Sequence, residues 1–493
     1  MLFNSIPFLF FFVGVFIAYY FIVPDRYRWL LLLLASCYFY MAFIPQYILI
    51  LFFLITLDFF LAKGIAASSG PHRKTMLTLS ILANLGTLFF FKYFNFFNAN
   101  VAHIAQAIHW NYSPLLLQIA LPLGLSFHVF QSLSYVIEVY KGRQEPERHY
   151  GIYALYVMFF PQLVAGPIER PQQLLWQFHD SHPFSSPKVR EGLELMLWGF
   201  FKKLVIADWI GQSVDHIYAN AGASDGLTLL IAGIFFTYQI YCDFSGYSDI
   251  AVGSSLVFGY DLMQNFNRPF AARSIPEYWR RWHISLSSWL KDYLYYPLAF
   301  SGKRITKLRL YVSLVVTFVL IGLWHGANWT YVAFGLLHGI YMVGSQFTEK
   351  WRAAAARLTG LARLPRLHQA WQTVITFLMV TAALIFFRAP SLRLALMIFD
   401  KIGNGFAHLG KELGMLDHIV SASNLGLPLP RIALTLAFIV VLEILQYVRA
   451  RRDVRSLFTG LPKWQRWAGY YALGFTILFL GYLHSQTFIY FQF

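Results

Sequence analysis

Apolar and polar positions fall in long blocks along this chain rather than alternating residue by residue. Apolar runs cover residues 2–23, 29–44, 46–62, 76–97, 114–140, 371–387, 432–448 and 468–483. Continuous blocks of this kind predict membrane helices, because in hydrocarbon only a helix or a closed barrel satisfies its own backbone, and a barrel would alternate. The loops between the runs differ in charge. Arg26 and Arg28, then Lys63, Arg73 and Lys74, then Lys141, Arg143 and Arg148 fill every second loop, whereas residues 98–113 hold neither Lys nor Arg. Residues 350–368 and the cluster Arg449, Arg451, Arg452, Arg455, Lys463 and Arg466 repeat the pattern, with a near-neutral loop between them. Basic loops stay in the cytoplasm, so both termini are expected outside. The predicted fold is an all-α polytopic membrane protein of one domain, residues 1–493. It has about 10 to 12 transmembrane helices plus re-entrant or interfacial ones.

The blocks lose their regularity between residues 149 and 300. Phe160-Pro-Gln-Leu-Val-Ala-Gly-Pro167-Ile-Glu169-Arg170-Pro171 mixes prolines and charges with apolar residues, which predicts broken or re-entrant backbone. From Ser274 a helix start is written in, with Glu277 three residues on and Pro276 in the first turn. Trp279, Trp282, His283, Leu286, Trp289 and Leu290 then recur at helical spacing. Arg280, Arg281, Lys291 and Asp292 fall opposite, so one amphipathic helix limited by Pro297 is expected, with His283 on its buried side. After a basic patch (Lys303, Arg304, Lys307, Arg309), residues 311–324 carry no charge. At 1.5 Å per residue this run reaches only about 21 Å, short of a hydrocarbon core of about 30 Å. His325, beside Gly326, therefore sits within the membrane's thickness at the turn of a short helical hairpin whose second run covers residues 331–343. An ionisable group at such depth is costly and is a functional candidate by default. A neutral imidazole suits general-base work; the bland alternative is a histidine capping helix-end carbonyls.

Composition narrows the classes. The chain is 58% hydrophobic and 19% aromatic with only 13% charged residues, which excludes a soluble fold. Its formal charge of +16 gathers in the loops, as orientation requires, so it is not a nucleic-acid signal. Residues 1–23 lack a basic n-region and a small-residue cleavage site, so they are expected to remain as the first span. The two cysteines, Cys37 and Cys242, lie within apolar runs, and no metal-ligand spacing, phosphate loop or nucleophile elbow occurs. Asp243 and Asp249 interrupt an apolar stretch and need partners if buried. Arg268, Arg273, Arg280 and Arg281 are the expected ones.

The joint motif Trp279-Arg-Arg-Trp-His283-Ile-Ser-Leu and Gly322-Leu-Trp324-His325-Gly326 closely resembles the membrane-bound O-acyltransferase family, most of all the bacterial branch that O-acetylates alginate, cellulose or peptidoglycan. The blocks at 121–140, 159–171 and 238–253 and the aromatic end from Phe488 are similar too, and the likeness is densest over a core of about residues 120–345. The resemblance implies His325 as the catalytic histidine and His283 at a second family position that other branches fill with Asn. Beside that, Trp324, Trp279, Arg280, Arg281, Asn328 and His338 are expected around the substrates, the tryptophans excluding water and the arginines meeting donor phosphates. No metal and no bound cofactor is expected; acetyl-CoA is the expected donor substrate. The implied setting is the bacterial inner membrane, with lipid around the protein and an extracytoplasmic acetyltransferase or polysaccharide-modifying partner. One departure is His128, where related chains carry Tyr, a change that bears on the local lining or the acceptor. Two other readings stay open here: a D-alanyl or lipid acyltransferase of the same family, separated by its donor, and a transporter of acetyl groups or polysaccharide, whose flux would survive replacement of His325.

Overall fold

The computed structural model describes all residues except 303, 415–418, 420, 453–457, 459, 484–486 and 490–493. Lys303, Arg455 and the last four residues of the aromatic end thus lie outside the described residues. All regular secondary structure among the described residues is helical. Among the described residues six helices are long and apolar enough to cross a membrane: Pro45–Ala67, Pro71–Ala107, Gly226–Val257, Lys307–His325, Pro365–Arg388 and Leu429–Ala450, with Ile6–Ile22 a shorter apolar one. The 98–113 stretch, expected as a loop, is helical as far as Ala107. A π turn over Phe89–Tyr93 re-phases this long helix, and the polar side chains beyond it find local acceptors, as Asn100 does on the Phe96 carbonyl at 2.7 Å.

The chain gathers into two compact units. The first comprises Met1–Met196 and Ile250–Met263. Its helices pack around buried polar anchors rather than apolar surface alone. Asp58 accepts from Ser80 at 2.6 Å and from Asn84 at 2.9 Å, joining Ile48–Ala67 to Pro71–Leu88. The proline-rich stretch is broken as expected: helix Tyr150–Met158 stops, and residues 159–169 run buried with only isolated turns, such as Leu163 N–H donating to the Phe159 carbonyl at 3.0 Å, before helix Pro171–Leu174 begins. Side chains meet the freed backbone groups. Phe160 N–H donates to Ser36 Oγ at 3.0 Å, Gln162 and Gln131 both donate to the Tyr156 carbonyl, and the Tyr156 hydroxyl donates to the Glu169 carbonyl at 3.0 Å. Irregular backbone at membrane depth survives only when satisfied in this way.

The second unit comprises Leu197–Asp249 and Gln264–Phe493. Here Asp243 and Asp249 do not pair with the expected arginines. Lys203 lies 2.5 Å from Asp243 and 2.8 Å from Asp208, and Lys202 lies 2.7 Å from Asp249 and 3.0 Å from Ser245. Both lysines lie buried in a π-helical stretch, Phe201–Ala207, and meet these carboxylates there, whereas Arg281 is engaged by Glu277 and Arg273 and Arg280 are exposed. Asp243 also accepts from the Ile489 backbone N–H at 2.8 Å, and the Lys203 ammonium lies 4.4 Å from the Phe488 ring centroid, so the same charges hold Phe488 and Ile489.

Candidate active site

Every residue expected at the site belongs to the second unit. The Ser274 hydroxyl accepts from Glu277 N–H at 3.3 Å and starts helix Ile275–Arg281 as the sequence predicts. The single amphipathic helix expected beyond it does not form. Trp282 is extended, His283 adopts the left-handed region at φ 43°, ψ 56°, and a second helix, Ile284–Leu290, starts afresh. Left-handed backbone is uncommon outside glycine and asparagine and is held only where neighbours over-determine it. Asn265 does so here: its carbonyl accepts from Ile284 N–H at 2.9 Å and its side-chain oxygen from Ser285 N–H at 3.2 Å, while Asn267 N–H donates to the Arg281 carbonyl at 2.9 Å. The break sets the fully buried His283 ring edge-on to Phe244, 4.7 Å between centroids. Neither short helix is among the membrane-crossing ones. Burial pushes the His283 imidazole down to about 3, so it is neutral at physiological pH.

His325 ends helix Lys307–His325, and Trp329–Phe347 returns as the second arm of the expected hairpin. Glycines set how close the arms come. A Cβ on Gly322 would stand 2.1 Å from the Tyr331 carbonyl oxygen, one on Gly335 2.2 Å from the Phe318 carbonyl oxygen, and one on Gly326 2.2 Å from the Tyr331 ring. Small residues at a helix seam allow such an approach in a membrane. The turn is closed by Asn328, whose side chain accepts from Thr330 N–H at 3.0 Å and donates to the Pro390 carbonyl at 3.2 Å.

The two arms and the kinked segment meet at one place. Trp324 stands 5.9 Å from the His283 ring and 5.0 Å from the His325 ring, tilted steeply to both. Phe387 at 5.1 Å and Phe334 at 6.0 Å complete the surroundings of His325, which is 5% exposed. His338, one turn below Phe334, accepts the Trp279 indole N–H at Nδ1 over 3.2 Å. The arginines stand apart from this cluster: Arg281 binds Glu277 at 2.8 Å and Arg280 is exposed. Among the described residues no group of His, Cys, Asp and Glu could hold a metal ion.

Residues 75–388 match the sequence model of the membrane-bound O-acyltransferase family. The chain belongs to that family. It is 38% identical over 404 residues to the protein named probable alginate O-acetylase AlgI from Pseudomonas aeruginosa, covering 81% of this chain and 74% of that one. It is 34% identical over 452 residues to the peptidoglycan O-acetyltransferase of Helicobacter pylori, covering 84% and 82%. A more distant likeness, 28% over 246 residues, joins it to the teichoic acid D-alanyltransferase of Bacillus subtilis. This chain is thus a membrane-embedded O-acyltransferase of the O-acetyltransferase branch.

Sequence reasoning missed Asn265, Phe244 and Phe387, which act through the fold and carry no local mark. It also missed the seam, although Gly335-Leu-Leu-His-Gly339 has the small-xxx-small spacing that announces one. His128 belongs to the first unit, where it is buried with its ring 6.1 Å from Tyr40.

Proposed function

We propose that the protein transfers an acetyl group from a thioester donor, acetyl-CoA, to a hydroxyl, serving O-acetylation of an extracytoplasmic polysaccharide. The observation that carries the reading is Trp324 set between two buried imidazoles at the end of the apolar helix Lys307–His325, in a chain whose relatives are named as O-acetylases. His325 takes the hydroxyl proton as the oxygen attacks the thioester carbonyl. The C–O bond forms, the C–S bond breaks, and the thiolate leaves with the proton that His325 returns. His283, neutral and fixed by Asn265, orients the attacking group or donates a hydrogen bond to the oxyanion. Trp324 and Trp279 exclude water from the reacting atoms. Arg280, exposed, meets the donor's phosphates from outside the histidine cluster; Arg281 does so only by leaving Glu277. Asn328 and His338 serve the substrates by fixing the turn and the Trp279 ring.

In this reading the protein resides in the bacterial inner membrane with its basic loops in the cytoplasm and both termini outside. A CoA thioester is cytoplasmic and too charged to cross hydrocarbon, whereas the glycan lies outside. The site is therefore served from both faces, and an extracytoplasmic partner collects the acyl group. The test is acetylation of cell-surface glycan, followed in cells carrying His325→Ala, alongside labelling of an introduced cysteine at Ala354 by an impermeant reagent. Loss of acetate from the glycan at normal protein levels supports the reading. Near-normal acetylation with His325→Ala, or ready labelling of Ala354→Cys from outside intact cells, overturns it.

A further inference from the structure

The hairpin's second arm runs on into helix Glu349–Leu358, whose surface is unlike that of any helix buried in the protein. At 100° per residue Trp351 and Leu358 fall on one strip, and they are 80% and 87% exposed. Ala356, the one buried residue of this helix, lies nearly opposite. Lys350 and Arg357 flank the strip on one side and Arg352 on the other. A tryptophan and a leucine standing this far into solvent need a cover, and the cover is narrowed by what surrounds them. Residues 350–368 carry five basic residues and no acidic one. Exposed apolar side chains recur just beyond this helix, at Leu364 and then at Leu367 and Trp371 in the first turns of the membrane-crossing helix Pro365–Arg388.

We infer that Glu349–Leu358 lies in the plane of the membrane and is a binding surface for anionic phospholipid. Trp351 and Leu358 enter the headgroup boundary, and Lys350 and Arg357 meet headgroup phosphates. An apolar strip holding tryptophan, flanked by basic residues, is the pattern of an interfacial helix, and Trp is favoured at that depth. Each basic residue near an anionic surface strengthens attraction about fivefold. Arg352 faces the other way in function: its guanidinium donates to the Ser345 carbonyl at 2.7 Å, tying this helix to the end of the arm that starts just after His325. The lipid contact thereby fixes the depth of the hairpin.

The experiment uses the full-length protein in nanodiscs of phosphatidylcholine alone, or of phosphatidylcholine mixed with phosphatidylglycerol, and reads amide exchange across 349–358. The expected result is exchange slowed at least tenfold in the mixed discs, with phosphatidylglycerol retained in native mass spectra. Lys350→Gln with Arg357→Gln should remove most of both effects, while exchange across Trp329–Phe347 stays as in the parent and reports an intact fold. Trp351→Ser with Leu358→Ser should raise exchange in both kinds of disc. Equal exchange in the two discs overturns the inference, as does protection that persists in the double glutamine variant. Protection that appears only on adding a soluble protein fraction assigns the strip to a protein partner instead, and overturns it too.

Discussion

The indole N–H of Trp279 donates to Nδ1 of His338 over 3.2 Å, and both side chains are buried. The bond settles the tautomer: a ring that accepts at Nδ1 carries its proton on Nε2. It also links the capped helix Ile275–Arg281 to the second arm of the hairpin, and through Phe334 to the wall of His325. Trp279→Phe should leave a buried acceptor unmet and cost about 1–3 kcal/mol. Adding His338→Phe to that variant should return part of the loss, because no buried polar group is then left alone. Thermal unfolding of the four proteins in detergent forms the double-mutant cycle that checks this.

His325→Ala should abolish acyl transfer while insertion and purification stay normal. Loss of a general base costs about 10² to 10⁴ in rate. His283→Asn should keep more activity, since asparagine tolerates the left-handed backbone that His283 adopts and preserves a hydrogen-bonding side chain. Glycan-bound acetate, normalised to protein in the membrane fraction, separates the two. Equal residual activity would remove the distinction between base and orienting residue.

His283 also predicts a pH response. Its folded value lies at about 3, against about 6.5 in an unfolded chain. Between these values the unfolded chain binds the extra proton, so stability from this residue is complete above about pH 6.5 and is lost as pH falls toward 3. The His283→Asn protein should therefore lose less thermal stability than the parent between pH 7.5 and pH 5. Parallel decline of the two melting curves would contradict the assignment.

Lys203 stands between two buried carboxylates, 1% exposed itself, with Asp208 and Asp243 each at 2%. Lys203→Met should leave both without a cation and destabilise the second unit by about 3–5 kcal/mol. Because Asp243 also accepts from the Ile489 N–H, the same change should speed amide exchange at Ile489 before global unfolding begins.

Gly335→Ala tests the seam. The added methyl would meet the Phe318 carbonyl oxygen at 2.2 Å, backbone that cannot rotate away. Overpacking of this kind costs about 1–3 kcal/mol, and parting the arms should lower acyl transfer more than protein level. Gly344→Ala, where no atom lies within 4 Å of the new Cβ, is the matched control and should leave both unchanged.

What the sequence alone determined is whatever one segment decides by itself. Helix starts at Ser274, the break after Tyr150–Met158, the hairpin turn at His325-Gly326 and the helical, membrane-embedded class follow from capping chemistry, prolines and the cost of burying bare backbone in lipid. The paired motifs carrying His283 and His325 were legible for the same reason. Tertiary structure decided what depends on residues far apart in the chain. Periodicity through Trp279, Trp282 and His283 asked for one helix, yet Asn265 supplies backbone and side-chain bonds that outweigh one turn of regular helix, and so the imidazole faces Phe244 and Trp324. The partners of Asp243 and Asp249 were likewise hidden, because a π-helical turn near Lys202 and Lys203 shifts the phase that a sequence pattern assumes. Propensity is a weak, local term; buried charges and fixed polar groups are strong and find their partners only once the chain has closed around them.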